Sequence, residues 1–309
     1  MKPTSQTGRH ESPQSTRFAT IAVVGRPNVG KSTLVNRIVG EKVTIVSEKP
    51  QTTRHRILGV HTRPNGQLVF IDTPGIHRPL HRLNRYMMQA AMGALADTEL
   101  ALLIVDASQP TGNGDRYVID SMKDFNKPLF ILLNKMDLIK KSRLLPLMDL
   151  YSRSLAAKEI IPVSALRGDN VDVVERSLWE HAPDGEPMFP SEMHTDRSDA
   201  FRAAEIVREK ILAHVHEELP WTTAVRVDST EVDGKLWRIY MTILVEKESQ
   251  RPIVIGRAGQ FLKAIGTEAR EELEGMFKKK IYLSLQVRHE EKWRESPEHL
   301  ASLEIYENE

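Results

Sequence analysis

The sequence predicts an α/β domain followed by a smaller α+β domain, and three observations carry this prediction. Over residues 18–182, short apolar runs alternate with longer segments of helical spacing. The apolar runs have no polar face, so they indicate strands of a mostly parallel sheet that is covered by helices on both faces. Residues 183–199 are rich in proline and short polar residues and predict a linker. Beyond residue 200 the pattern changes to helix, strand, strand, helix, helix, strand.

These patterns give the elements in chain order. In the first domain, residues 18–182, five apolar runs are the expected strands: Ile21–Val24, Leu68–Ile71, Leu100–Val105, Leu129–Leu133 and Ile160–Val163. In the second domain, residues 200–309, the expected elements are a helix at Ala200–Glu218, strands at Thr222–Ser229 and Leu236–Val245, two short helices around Gly256–Phe277 and a strand at Ile281–Val287. Helical spacing predicts several core side chains: Leu212, Val215, Leu219, Met276 and Phe277.

Composition limits the function. A chain of 309 residues is long enough for two domains with separate cores. The net charge of +1 confines any nucleic-acid surface to a local patch, and the lack of cysteine excludes a thiolate metal site and a cysteine nucleophile. The polar residues 1–17 predict a disordered tail. The longest apolar stretches fall far short of the roughly 20 residues of a membrane-spanning helix, so we expect a cytoplasmic protein.

The segment VVGRPNVGKST, residues 23–33, places Gly25-x4-Gly30-Lys31-Ser32 between an expected strand and an expected helix. This is the P-loop pattern, in which backbone N–H groups converge on phosphate oxygens at a helix N-terminus. Lys31 is expected to reach the β and γ phosphates, and the Ser32 hydroxyl is expected to bind Mg²⁺. The other nucleotide contacts expected in this segment are Arg26, Pro27, Asn28, Val29 and Thr33. A glycine-rich turn without a ligand is the alternative interpretation.

The tetrapeptide Asn134-Lys135-Met136-Asp137 follows the apolar run LFILL and is expected to select the base. Guanine presents two adjacent donors, N1–H and the 2-amino group, which one carboxylate accepts together, whereas adenine leaves buried groups unpaired. The carboxylate at Asp137 therefore predicts that the bound nucleotide carries guanine. Asn134 is expected to orient the loop, and the Lys135 stem is expected to lie over the base. Downstream, the segment VSA brings two further candidate contacts, Ser164 and Ala165, to the position of guanine O6.

The segment Asp72-Thr73-Pro74-Gly75 directly follows the apolar run LVFI and is the second motif that predicts contacts with the phosphates. An acid at the carboxyl end of a strand can hold Mg²⁺, and the Gly75 N–H can sense the γ phosphate. A plain turn is the alternative. Upstream, the sequence QTTRH at residues 51–55 offers a hydroxyl to the same ion, and we favour Thr53 over Thr52.

The second domain carries a GxxG segment, Gly256-Arg257-Ala258-Gly259, within VIGRAGQFLKAIG. A loop of this kind lets a nucleic-acid backbone approach the protein backbone closely, which suits single strands. Residues 200–309 hold 17 Lys and Arg against 20 Asp and Glu, but residues 251–294 hold 10 against 6, so a basic face is local. Beyond the loop itself, the candidate RNA contacts are Ile255, Lys263, Lys278, Lys279 and Lys280, although the three consecutive lysines could equally be a solvated helix end.

The motifs GRPNVGKS, QTTRH, DTPG, NKMD and VSA, in this order and followed by the GxxG segment, resemble those of the Era GTPases, bacterial ribosome-assembly factors. The resemblance spans residue 18 to the C-terminus. It implies a Ras-like GTP-binding domain joined to a type II KH domain, with GTP or GDP and Mg²⁺ as ligands. It also implies the 3′ end of 16S ribosomal RNA and the 30S subunit as partners. Similar proteins have peripheral inner-membrane contact, and we expect a monomer.

Hydrolysis cannot use the water-positioning glutamine of many small GTPases, because Ile76 follows Gly75 and an aliphatic side chain forms no hydrogen bond to water. The candidate catalytic residues are Lys31, Thr53, Gly75 and Asn28. Catalysis by positioning and charge alone predicts slow unassisted turnover.

Similar GTPases include potassium-stimulated members with an asparagine at the position of Asn28, so its side-chain carbonyl is expected to help hold K⁺ against the phosphates. The alternative is that Asn28 only braces the loop. Three further polar residues of the candidate switch loops, Arg54, His55 and His77, are expected to be solvated surface positions.

The sequence therefore predicts a GTP-hydrolysing switch whose second domain binds single-stranded RNA. Two other functions stay open at this point. The first is an RNA-binding module that uses bound GTP only structurally. The second is a membrane-associated regulator, although the sequence has no strongly amphipathic basic stretch that demands it.

Overall fold

The computed structural model describes residues 16–305, which form two sheets with their helices. Residues 1–15 of the expected tail lie outside the described residues, and the first strand already includes Arg17. The first sheet has the strand order β2-β3-β1-β4-β5-β6. Its strands are β1 (Arg17–Val24), β2 (Ile57–Arg63), β3 (Gly66–Asp72), β4 (Leu100–Asp106), β5 (Leu129–Asn134) and β6 (Glu159–Pro162).

All neighbouring strands of this sheet are parallel except β2 and β3, which pair antiparallel. Strand β2 is not among the five strands predicted from the sequence. Its residues ILGVHTR mix three buried positions with four that are partly or fully exposed at the sheet edge, and such a strand does not stand out as an apolar run.

Five helices cover the two faces of the first sheet: α1 (Lys31–Val39), α2 (Arg82–Ala96), α3 (Asn113–Met122), α4 (Leu144–Ser154) and α5 (Val171–His181). Helices α1 and α5 share one core with the strands, and α2, α3 and α4 share the other. In such a sheet the carboxyl ends of the parallel strands meet at one edge, where the loops build a ligand site.

The segment between the two domains packs along the edge of the first sheet. The backbone N–H of Val60 donates to His194 O at 2.9 Å, and that of Leu58 donates to the Asp196 carboxylate at 3.0 Å. The Gln67 side chain also donates to Phe189 O at 2.9 Å. The two backbone bonds use the free edge of β2, and all three bonds fix the course of the segment.

The second domain has a three-stranded sheet in the order β7-β8-β9, antiparallel between β7 and β8 and parallel between β8 and β9. Helices α6, α8 and α9 pack against one face of this sheet. The elements are α6 (Asp199–His214), α7 (Leu219–Thr222), β7 (Thr223–Asp233), β8 (Leu236–Val245), α8 (Arg251–Ile255), α9 (Gln260–Phe277), β9 (Lys280–His289) and α10 (Pro297–Ser302).

The predicted element order of this domain is observed, with three different boundaries. Helix α6 ends at His214, four residues before the expected end, and Glu217 adopts a left-handed φ of 53° before α7 begins. Strand β7 continues to Asp233, and α9 is 18 residues long instead of short. Among the predicted core residues, three are buried and two are partly buried against the same core: Leu212, Val215 and Leu219, then Met276 and Phe277.

The two domains share apolar contacts. Leu83 and Met87 of α2 pack with Trp293 and Leu300 near the C-terminus, and Trp293 is fully buried. Ile45, from the loop between α1 and β2, belongs to the core of the second domain. Across residues 16–305, every helix is too short or too polar to cross a bilayer.

Candidate functional site

The P-loop, residues 25–32, connects β1 to α1 at the carboxyl edge of the first sheet. Gly30 caps α1 with a left-handed φ of 100°, and a Cβ there would lie 2.2 Å from Asn134 Nδ2, so only glycine fits. Lys31 is buried, and its Nζ donates to Arg26 O at 3.0 Å. Burial lowers the pKa of Lys31 to about 8, while the nearby Asp72 carboxylate opposes that shift. A phosphate group between these residues would stabilise the charged lysine.

Four oxygen-bearing side chains converge beside the P-loop, and three of them are the predicted metal ligands Ser32, Thr53 and Asp72. The Asp72 carboxylate, at the end of β3, accepts from Ser32 Oγ at 2.7 Å, and Thr53 Oγ1 lies 3.0 Å from Ser32 Oγ. Thr44 Oγ1 also donates to Asp72, at 3.1 Å. Asp72 Oδ1 is buried without a hydrogen-bond partner among the described residues, and burial raises the pKa of this carboxyl despite nearby Lys31. A cation bound here would satisfy that oxygen, and the ligand set is one that Mg²⁺ prefers.

The two threonines of QTTRH face different neighbours. Thr53 joins the Ser32 and Asp72 cluster, with its Oγ1 3.4 Å from Asp72 Oδ2. Thr52 Oγ1 donates instead to Lys49 O at 2.6 Å. The geometry therefore brings Thr53, and not Thr52, to the candidate metal position.

Asn134, at the end of β5, holds the base-side loops together. Its Nδ2 donates to Val29 O in the P-loop at 2.7 Å, and its Oδ1 accepts from Ala165 N at 2.9 Å. Lys135 adopts a left-handed φ of 63°, and its Nζ lies 2.6 Å from the Asp106 carboxylate. The Asp137 carboxylate lies 3.3 Å from the Arg167 guanidinium. Two neighbouring backbone bonds fix the same loops, Met136 N to Val163 O and Ser164 N to Asp169 O.

One cavity of about 860 Å³ connects the phosphate side to the base side. Lys31, Ser32 and Thr53 line it at one end, and Asp137 and Ala165 line it at the other. The two halves of the predicted nucleotide site are thus parts of a single space. The second domain also lines this cavity. Its helix α6 and the residues after it contribute Glu209, Leu212, Ala213 and His216. The sequence does not predict this part of the lining, because no local pattern shows which helix of another domain packs across the site.

The loop after β3 lies directly on the P-loop. The backbone N–H of Ile76 donates to Gly25 O at 3.0 Å, and a Cβ at Gly75 would lie 2.5 Å from Pro27 N. The Ile76 side chain is buried in the core under α2, α3 and α4, where it cannot contact an attacking water. Two other predicted contacts belong to this loop: Thr73, whose hydroxyl donates to Val23 O, and Pro74.

Asn28 belongs to the P-loop and contacts the loop after α1. Its backbone has a left-handed φ of 65°, and its side-chain Nδ2 donates to Glu48 O. Within residues 16–305, no hydrogen bond to Asn28 Oδ1 is formed. The side chain thus braces two loops and still presents a carbonyl oxygen.

Two residues expected on the surface are buried, which corrects the sequence analysis. Arg54 is 3% exposed and His55 is 6% exposed, because both enter the boundary between the domains. Burial lowers the pKa of His55 to about 4. His77 is partly buried: its Nδ1 donates to Gly75 O at 2.7 Å, and its Nε2 lies 3.1 Å from Gln51 Nε2. The sequence QTTRH does not predict this burial, because the burial depends on contacts with a domain that lies far along the chain.

The GxxG segment forms a short 3₁₀ turn between α8 and α9. Gly256 and Gly259 adopt left-handed φ values of 76° and 73°, and the space around a Cβ built on Gly259 is open. Ala258 is also left-handed, with a φ of 50°. Arg257 and Lys263 are exposed, and neither side chain has an ion-pair partner within residues 16–305. Ile255 is partly buried and packs on the core beneath the turn.

The three lysines at residues 278–280 lie at the opposite end of α9 from the GxxG turn. An 18-residue helix is about 27 Å long, so the structure does not bring the two groups of predicted RNA contacts, the GxxG turn and the three lysines, together. Lys278 caps α9, Lys279 Nζ lies 6.0 Å from the centroid of the Trp237 ring, and Lys280 starts β9. The packing of Lys279 on an aromatic face favours the interpretation of a helix end.

Comparisons with known proteins agree with this geometry. A family model described as 50S ribosome-binding GTPase matches residues 20–135, and a KH domain model matches residues 218–294. GTPase Era from Syntrophus aciditrophicus is 47% identical over 90% of this chain and 91% of that protein. GTPase Era from Geobacter metallireducens is 44% identical over 93% of this chain and 97% of its own length. The chain belongs to the Era GTPase family.

Solved Era structures have the same fold. A crystal structure of Era in complex with MgGDPNP and nucleotides 1506–1542 of 16S ribosomal RNA aligns with a TM-score of 0.91 at 38% identity, covering 94% of this chain and 99% of that one. A crystal structure of a variant of Aquifex aeolicus Era bound to GDP.AlF4⁻ aligns with a TM-score of 0.90 at 37% identity, covering 94% of this chain and 99% of that one. The predicted family, fold class and GTPase activity are confirmed.

Proposed function

We propose that this Era GTPase binds and hydrolyses GTP with Mg²⁺, and that its KH domain binds single-stranded RNA at the 3′ end of 16S ribosomal RNA during maturation of the 30S subunit. The observation that carries the nucleotide half is the single cavity in which Lys31 and Asp137 face the same space. The RNA half rests on the exposed GxxG turn and on the Era complex with MgGDPNP and 16S ribosomal RNA nucleotides.

The proposed division of labour in the nucleotide site follows the two ends of the cavity. Lys31 binds the β and γ phosphates, and Asp137 accepts the two donors of guanine. Ser32, Thr53 and Asp72 hold Mg²⁺, directly or through water. When bound, the ion neutralises charge on the phosphates. The remaining P-loop and base-side residues shape the cavity.

Turnover in this site depends on positioning. The buried Ile76 leaves no side chain directly after Gly75 that can orient water, so the Gly75 N–H and Lys31 provide the charge stabilisation. Within the P-loop, Asn28 presents its free carbonyl oxygen, next to which a monovalent cation would fit. We therefore expect slow intrinsic hydrolysis that an added monovalent cation speeds.

On the RNA side, the GxxG turn is the primary contact. Gly259 leaves open space for a phosphodiester backbone, and Arg257 and Lys263 add positive charge on the same turn and on the first part of α9. Lys278, Lys279 and Lys280 would be reached only by a strand that follows the length of α9. We place the protein in the cytoplasm as a monomer, with contact to the inner membrane as the alternative that pelleting with liposomes would reveal.

Calorimetry with GTP, GDP and ATP tests the nucleotide half. We expect both guanine nucleotides to bind at least about 100-fold more tightly than ATP, because adenine offers the Asp137 carboxylate neither of the two donors that guanine offers. Equal binding of ATP would contradict the proposal. Phosphate release from GTP, measured with and without an RNA oligonucleotide of nucleotides 1506–1542 of 16S ribosomal RNA, separates the GTPase from a protein that keeps GTP only as a structural ligand.

A further inference from the structure

Arg54 follows the candidate metal ligand Thr53 directly and carries its side chain into the KH domain. Its Nη1 donates to Thr223 O at 2.8 Å, and its Nη2 donates to Pro220 O at 3.0 Å. The guanidinium also lies 5.6 Å from the centroid of the Trp293 ring. A buried arginine that donates to two carbonyl oxygens of another domain fixes its own backbone relative to that domain.

The KH domain makes the reciprocal contact. Arg208 of α6 donates from Nη2 to Thr52 O, the residue on the other side of Thr53. Arg208 is 2% exposed, and Glu205 fixes its orientation by accepting from its Nε at 2.7 Å. A third bond joins His55 Nε2 to Leu303 O at 3.0 Å. Backbone or side chain of residues 52, 54 and 55 is thus bonded to the second domain, while Thr53 alone points back to Ser32 and Asp72.

We infer that Arg208 and Arg54 are positioning residues for Mg²⁺: the KH domain holds the Thr53 hydroxyl at the metal site by fixing its two neighbours. The inference rests on the proposed role of Thr53 as a Mg²⁺ ligand and deepens it. The metal site is then complete only when the KH domain is docked against the loop between α1 and β2.

This arrangement differs from general adhesion between the domains. The ion pair of Lys42 with Glu209, at 2.6 Å, also crosses the boundary, but Lys42 lies 11 positions before Thr53. The apolar contacts of Leu83 and Met87 with Trp293 reach α2 and not the loop. The contacts at residues 52, 54 and 55, by contrast, act on the immediate neighbours of Thr53.

The test measures how the affinities of a nonhydrolysable GTP analogue and of GDP depend on Mg²⁺ concentration in the full chain. For Arg208→Met we expect the Mg²⁺ concentration that half-saturates analogue binding to rise at least about tenfold, which corresponds to about 1.4 kcal/mol. GDP affinity should stay within about twofold, since Thr53 serves the triphosphate state. The control Lys42→Met, which removes an interdomain ion pair away from Thr53, should leave both affinities unchanged.

Three outcomes would overturn the inference: an unchanged Mg²⁺ dependence in Arg208→Met, an equal loss of GDP and analogue binding, or the same shift in Lys42→Met. If Arg208→Met unfolds, Arg54→Lys is the second variant. Lysine lacks the planar fork with which the arginine places Nη1 on Thr223 O and Nη2 on Pro220 O, so the same selective shift is expected. Failure of the wild-type chain to bind either guanine nucleotide would instead contradict the proposed function.

Discussion

The nucleotide cavity and the GxxG turn both serve phosphate-bearing ligands, yet they are built in opposite ways. In the cavity, Lys31 and Asp72 are buried, and hydrogen bonds tie the P-loop to Asp72 and to Asn134. At the GxxG turn, Arg257 and Lys263 extend from the surface without an ion-pair partner in the described part of the chain. Preorganised protein groups bind a small, rigid ligand of fixed shape tightly. A flexible nucleic-acid strand is bound instead by an accessible protein backbone and by mobile charged side chains. Substitutions should therefore have large and specific effects in the cavity and smaller effects at the turn.

The largest expected effect comes from Asp137→Asn. The amide keeps one acceptor and gains one donor, so it no longer accepts both guanine donors but does complement xanthine, which has a carbonyl in place of the 2-amino group. We expect GTP affinity to fall roughly 100-fold or more, with XTP binding more tightly than GTP. Competition binding with GTP and XTP measures this ratio, and Asp172→Asn on the exposed face of α5 is the control. If Asp137→Asn still prefers GTP to XTP, Asp137 does not bind the base at this end of the cavity.

A smaller effect is expected at the GxxG turn. Arg257→Asp should weaken binding of a 16S 3′-end oligonucleotide by about tenfold and reduce the salt dependence by about one charge contact, because one phosphate contact is lost. Lys279→Asp, at the other end of α9, should weaken binding less. GTP affinity should be unchanged in both variants. Equal losses in the two variants would show that the RNA follows all of α9, and no loss in either would remove this turn from the RNA site.

The comparison also shows what the sequence can and cannot establish. The P-loop, Asp72 and Asp137 are predictable because each follows an apolar strand at a fixed spacing, so local pattern and topology agree. The edge strand β2 was missed because half of its residues face outward. The burial of Arg54 and His55 was missed because it arises from docking of a domain far along the chain. The three lysines were grouped with the GxxG turn because proximity in sequence says nothing about the length of the intervening helix.

A third effect concerns the monovalent cation and distinguishes the two interpretations of Asn28. If its free carbonyl oxygen binds K⁺, hydrolysis should be several-fold faster in KCl than in NaCl at equal ionic strength, and Asn28→Ala should abolish the difference. Asn28→Asp, which retains an oxygen, should preserve part of it. Equal rates of phosphate release in the two salts would leave Asn28 with only the bracing contact to Glu48 O.

The smallest expected effect is a change in proton uptake at the cavity. The pKa of Lys31, lowered to about 8 by burial, leaves the lysine mostly neutral at pH 9 in the free protein, and a bound triphosphate would restore its charge. GTP binding should therefore take up close to one proton at pH 9 and almost none at pH 7. Calorimetry in two buffers of different ionisation enthalpy measures this uptake, and Lys31→Met should remove it.

The same lowered pKa fixes the sign of a stability effect in the protein without nucleotide. Between about pH 8 and the ordinary lysine value of 10.5, the unfolded chain binds a proton that the folded chain does not, so the free energy of unfolding should rise with pH across this window. Equilibrium unfolding at several pH values measures this slope, and Lys31→Met should remove it. Absence of proton uptake on GTP binding at pH 9 would show that Lys31 is already charged in the empty cavity, and the contrast between a buried and an open phosphate site would lose its electrostatic basis.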